Sequence, residues 1–82
     1  MAPTFYLAEV KGVRGKSGSV RLTENEFLKA QEYKDDYCLA VVSELESAPH
    51  ITPVFNPLAN LEFSKQTITS EQVYYSLPVR RW

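Results

Sequence analysis

Leu22-Thr23-Glu24-Asn25-Glu26-Phe27 is the stretch around which the rest of this chain can be read. A threonine followed three residues later by a glutamate makes a capping box. The Thr23 hydroxyl accepts from the Glu26 N–H, and the Glu26 carboxylate accepts from the Thr23 N–H. Leu22 and Phe27 flank the box as a hydrophobic staple, which fixes the angle at which the chain enters a helix. Phe27, Ala30 and Tyr33 or Lys34 follow at helical spacing, with acids in the first turn and Lys34 in the last, in accord with the helix dipole. The spacing predicts a helix capped by Thr23 and ending near Lys34.

Working outward, Asp35-Asp36 makes a turn before Tyr37-Cys38-Leu39-Ala40-Val41-Val42, an apolar run too short for a helix and rich in strand formers. Both its faces are apolar, which predicts a central strand with something packed on each side. Upstream, Val20-Arg21-Leu22 is a short extended piece, and Thr4 to Lys11 reads as a strand. Phe5, Leu7, Glu9 and Lys11 share one face of that strand; Tyr6, Ala8 and Val10 share the other, which reads as the core face. Strand, helix and buried strand imply a right-handed crossover joining two parallel strands. Prolines at 49, 53 and 57 then break the chain. Ile51 to Asn56 reads as an edge strand with Pro53 facing outward, Pro57 to Leu61 as a turn or short helix, and Glu71 to Leu77 as a last strand. The fold class is therefore α/β (α+β), a small mixed β-sheet with one main helix, in a single domain spanning 1–82.

A chain of 82 residues buries only about 60–65% of its unfolded surface. The formal net charge of -1 argues against a general nucleic-acid coat, but Lys11, Arg14, Lys16 and Arg21 make one region locally basic. Gly15-Lys16-Ser17 lacks the phosphate-loop glycine five residues earlier, where Val10 stands, so Arg14, Lys16 and Arg21 are candidates for contact with a phosphate backbone instead. Cys38, the single cysteine, sits in an apolar run and reads as a buried, reduced core residue of a cytoplasmic protein. No stretch approaches the ~18 apolar residues that span a bilayer, and no signal-peptide pattern is present, which sets membrane association aside. His50, between Pro49 and Pro53, reads as a surface-loop histidine. Arg80-Arg81-Trp82 can touch a phosphate backbone or stack on a base, or Trp82 can dock on the domain's own surface.

Glu9-Val10-Lys11-Gly12 is the candidate site, because it sets two charged groups into an otherwise apolar extended segment. A carboxylate and an ammonium two residues apart on one strand face reach a common point about 6–7 Å along the strand. The carboxylate there can hold a hard cation such as Mg²⁺, and the lysine can polarise a water or a phosphate oxygen. The plainer alternative is a surface ion pair on an edge strand, worth about 0–1 kcal/mol.

Glu9-Val10-Lys11-Gly12, a Gly- and Ser-containing basic loop, Leu22-Thr23-Glu24-Asn25-Glu26 with Ala30 in the helix it opens, Asp35-Asp36-Tyr37-Cys38-Leu39-Ala40-Val41-Val42 and Phe55-Asn56-Pro57-Leu58 together resemble the nuclease-like domain at the C-terminus of the NO VEIN family. The likeness covers roughly Leu7 to Leu58. It implies a partial restriction-endonuclease-like core, in which Glu9 supplies a metal ligand and Lys11 its charged partner for phosphodiester hydrolysis, with Mg²⁺ as cofactor. That superfamily also places an acid on the preceding strand. None stands among Met1 to Ala8, so the resemblance implies truncation before the first acidic motif. Glu26, explained by capping, is the further acid within reach. Two function classes follow: a binding or interaction module, non-catalytic as an isolated chain, and a metal-dependent nuclease completed by a partner or by upstream residues. The bare edge of the first strand predicts a homodimer, with either that strand or the C-terminal strand at the interface.

Overall fold

A computed structural model describes residues 7–69 and 71–82. The expectations for Thr4, Phe5 and Tyr6 lie outside the described residues. The elements run β1 (Leu7–Gly12), β2 (Ser17–Gly18), β3 (Arg21–Thr23), α1 (Glu24–Tyr33), β4 (Tyr37–Ser43), β5 (His50–Phe55), α2 (Pro57–Asn60), β6 (Ser64–Thr69), β7 (Gln72–Ser76) and β8 (Arg80–Arg81). This is a mixed α+β fold with one main helix, extended by a 3-10 turn over Lys34–Asp36.

The capping box forms in full, with Thr23 Oγ1 accepting from the Glu26 N–H at 3.2 Å and Glu26 Oε1 accepting from the Thr23 N–H at 2.8 Å. Lys34 turns to a positive φ of 48° and ends α1 where the spacing put its end. From there the chain enters β4, which lies between β1 and β5. The β1 pairing is parallel and the β5 pairing antiparallel. Pro53 sits on the exposed outer strand, where its missing N–H costs no ladder bond, and Pro57 begins the short helix α2.

A second three-stranded sheet, β3-β7-β6, is antiparallel throughout. The alternating segment near the C-terminal end is therefore the middle strand of this sheet and not a last strand, since Arg80–Arg81 pairs in turn with Ser17–Gly18. β6, Ser-Lys-Gln-Thr-Ile-Thr, is exposed along its length and has no apolar periodicity to announce it. Phe27 of α1 stacks on Tyr75 of β7 at 3.6 Å and meets the edge of Phe63 at 6.0 Å, so the helix packs against the second sheet as well. Leu22, Leu39 and Val41 are fully buried at the centre, joined by Val13, Val20 and Leu77.

Register decides which face of β1 looks inward. Glu9 lies opposite Leu39 and Lys11 opposite Val41, both core residues, whereas Val10 lies opposite Ala40 and is 62% exposed. The expectation that the Val10 face is the core face is thus reversed. β1 ends the order of described strands, so its inward face lies at the rim of the core, where charged side chains can reach both the helix and water. The face carrying Val10, Ala40, Pro53 and Ile51 is apolar, and Ile51 is likewise 62% exposed.

Gly18 is required by packing, since a Cβ there would lie 2.8 Å from Val13 Cγ1. Cys38 is buried and unpaired. No described helix is long and apolar enough to cross a membrane.

Two substitutions separate cap from core. Thr23→Ala is expected to cost about 1 kcal/mol and Leu39→Ala about 2–5 kcal/mol. Urea denaturation followed by circular dichroism measures both, and an unchanged midpoint for Thr23→Ala contradicts the role given to the box.

Candidate functional site

β1 and the first turn of α1 bring three charged side chains to one point. Lys11 Nζ donates to Glu26 Oε1 at 3.0 Å and Oε2 at 3.2 Å, and lies 3.3 Å from Glu9 Oε1. The strand supplies Glu9 and Lys11 on one face, as its alternation requires, while the capping box holds Glu26 at the helix N-terminus, directly above that face. Glu26 therefore caps the helix and also pairs with Lys11, two tasks that its position in the sequence suggests only in part.

The two carboxyl groups divide their charge unequally. Glu9 is pushed above the ordinary carboxyl range, chiefly by its hydrogen bonding with Glu26, then by burial and by the Glu26 charge, with Lys11 pulling the other way. Burial opposes ionisation of Glu26, but hydrogen bonds from Glu9, the Thr23 N–H and Lys11 outweigh it and hold its pKa at about 2. Glu26 is the persistent anion, and Glu9 is the group that takes a proton first. Burial also works against the Lys11 ammonium; the hydrogen bond and charge of Glu26, with those of Glu9, more than offset it and raise its pKa. Tyr37, buried at the start of β4, is pushed up to about 12 by burial and by the two nearby acids. A depression of about 280 Å³ adjoins the pair, lined by Leu7, Ala8, Tyr37 and the two carboxylates among others. Tyr37 is the site neighbour that sequence reasoning missed. Its opposition to Leu7, two residues before Glu9, follows only from the parallel register.

The basic residues are separated. Arg14 turns to Glu46 at 3.4 Å, both well exposed, and Arg21 lies over the Tyr74 ring at 4.6 Å. Lys16 goes elsewhere, to a second hollow of about 280 Å³ lined also by Ser43, Glu44, His50, Arg81 and Trp82. Trp82 docks on the domain: its N–H donates to the Lys16 carbonyl, its indole Nε1–H donates to the Gly18 carbonyl at 2.9 Å, and Arg80 covers its ring at 4.8 Å. His50 opens β5 as an exposed residue.

The titration gives a direct check. A carboxylate held at about 2 in the fold against an ordinary 4.5 adds stability that is complete above about pH 4.5 and is lost as the pH falls toward 2. Glu9, shifted the opposite way, works against this at neutral pH. Chemical denaturation between pH 7 and 2 should show stability falling through that window, with a shallower fall for Glu26→Gln. Lys11→Met should cost about 1–3 kcal/mol at pH 7, because it leaves two carboxyls facing each other, and the loss should shrink as the pH falls and Glu9 protonates.

No curated protein and no solved structure matches the chain. A family model described as protein NO VEIN, C-terminal, matches residues 4–54, which takes in β1 through most of β5 and so every residue of the Glu9–Lys11–Glu26 cluster. The chain belongs to the family of NO VEIN C-terminal domains.

Proposed function

We propose that this domain is a cytoplasmic binding module with a restriction-endonuclease-like strand–helix–strand unit, which does not cleave nucleic acid on its own and instead holds a phosphate backbone through its basic seam. The observation that carries the first half is the position of Lys11 Nζ, within 3.3 Å of oxygens of both Glu9 and Glu26. In a nuclease of that superfamily a divalent cation would sit between carboxylates. Here an ammonium from the same strand fills the point they share. Mg²⁺ with one or two carboxylates also needs phosphates or waters to complete its octahedron. Two acids that share one ammonium keep a single net negative charge, which is a poor site for a resident divalent cation, and no metal-dependent step is assigned to them.

Support for the second half comes from the pairing of β2 with β8, which sets Ser17 opposite Arg81 and Gly18 opposite Arg80. Lys16 and Arg81 thereby line one hollow from opposite ends of the sequence, with Arg80 beside it over the Trp82 ring. Such a cluster suits the sequence-independent attraction of phosphates, with affinity falling steeply as salt is raised. Buried, reduced Cys38 agrees with a cytoplasmic setting.

The runner-up is a metal-dependent nuclease completed by a partner, and the observation in its favour is the closeness of Glu26 to Glu9, which supplies a second acid. A plasmid-nicking assay with Mg²⁺ and Mn²⁺ distinguishes the two. The module reading expects no cleavage above background; robust nicking abolished by Glu9→Ala installs the nuclease. Binding is read by fluorescence anisotropy of a labelled oligonucleotide at about 50 mM salt. Arg81→Glu is expected to weaken it at least about tenfold, a loss that a single phosphate contact accounts for. An oligonucleotide that binds equally well to Arg81→Glu and the parent chain removes the seam from the proposal.

A further inference from the structure

The outer edge of β1 is a strand edge that no other described strand pairs with, since β1 lies at one end of the β1-β4-β5 order. β7, the segment with the apolar alternation to cover that edge, is taken up in the centre of the other sheet. The direction of the free groups is known. The Val13 N–H donates to the Val42 carbonyl at 2.8 Å, so by alternation Lys11 and Glu9 turn their backbone groups toward β4. Ala8, Val10 and Gly12 turn theirs outward.

We infer that two copies of this chain join along that edge, β1 antiparallel to β1, with the two-fold axis at Val10. The sequence Ala8-Glu9-Val10-Lys11-Gly12 is self-complementary about Val10. With Val10 opposite its own copy, Ala8 faces Gly12, and these are the residues whose N–H and C=O groups are free to exchange hydrogen bonds. The same register sets Glu9 opposite Lys11 of the second copy, and Lys11 opposite Glu9, in the pairs where side chains come closest. Each Lys11 then stands between its own Glu9–Glu26 pair and the Glu9 of the other protomer. A slip of one residue would oppose Val10 with Glu9 or Lys11 and send a charge to the apolar face, so register and charge select the same arrangement. The product is one six-stranded sheet, in which Val10, 62% exposed in a single chain, gains its own copy as a neighbour. Nothing in this arrangement draws on the basic seam, and the inference stands apart from the proposed nucleic-acid binding.

Light scattering coupled to size exclusion, run on the full chain at about 100 μM, a concentration at which weak interfaces are populated, is expected to give twice the 9.4 kDa chain mass. A monomer there overturns the inference. Val10→Glu, at an exposed position, places two carboxylates together on the axis and is expected to give a monomer with an unchanged circular dichroism spectrum; a Val10→Glu dimer overturns the register. Val10→Cys is expected to form an interchain disulfide under mild oxidation, because facing hydrogen-bonded positions are about 5.5 Å apart at Cα, within disulfide range. Exposed Leu45→Cys should remain uncrosslinked. Equal crosslinking of the two variants also overturns the register.

Discussion

The Glu26 carboxylate bonds in two directions at once, to the Thr23 N–H that opens α1 and to the Lys11 ammonium of β1. A parallel strand pair needs a crossover, and the crossover needs its helix held at a definite height above the sheet. Burial of Ala30 and the stacking of Phe27 hold the helix from its inner side. Glu26 fixes its starting end against the edge strand, which no apolar contact could do as specifically at a rim open to water. The negative side chain also sits where the helix dipole favours it, so capping, dipole and ion pair reinforce one another. Loss of Lys11 leaves two carboxyls facing each other and loss of Glu26 leaves both the helix start and the ammonium without this partner, so strand and helix end are coupled through one side chain.

The part of the chain that the family model covers is not the part that completes the core. Residues 4–54 include both strands of the parallel pair and the helix, yet Leu77, Phe63, Tyr75 and Trp82, all beyond that span, close over Phe27, Leu22 and Val20. The shared unit carries the charged cluster; the antiparallel sheet shields its other side. In a chain of 82 residues, whose surface is large relative to its interior, each half buries apolar side chains that it alone would leave in water.

Much of this was legible from local signals. Thr23, Glu26, Leu22 and Phe27 announce the helix and its entry, and the unbroken apolar run from Tyr37 to Val42 announces a strand buried between two others, as β4 is. Pro53 marked an outer strand, and Pro57 a short helix. What local pattern did not show depends on register. Val10 is as apolar as Leu39, and only the alignment of β1 on β4 decides that Glu9 and Lys11 face the helix while Val10 faces out. The hairpin of β6 and β7 was half visible, because β7 alternates and β6 is polar throughout. At the charged cluster, Glu9 and Lys11 stood out as charges in an apolar strand. Glu26 looked sufficiently explained by its cap, and its second bond spans fifteen residues. Tyr74, Tyr75 and Trp82 are engaged within the chain by Arg21, Phe27 and Gly18 respectively.

The ladder of β2 and β8 is only two residues long and joins positions more than sixty apart in sequence, Ser17 with Arg81 and Gly18 with Arg80. It closes little new loop, because the β3–β7 ladder and the bond from the Leu77 N–H to the Val20 carbonyl already bring its ends together, and what holds it is the docked Trp82 with its two hydrogen bonds. A two-residue ladder of this kind can open while β3 and β7 stay paired, a local opening that leaves both three-stranded sheets intact. The hollow that Lys16 and Arg81 line has that lining only while the seam is shut. An anion that binds the closed form alone would draw the tail onto the domain by mass action, so occupancy of that hollow and order of the last three residues are thermodynamically linked.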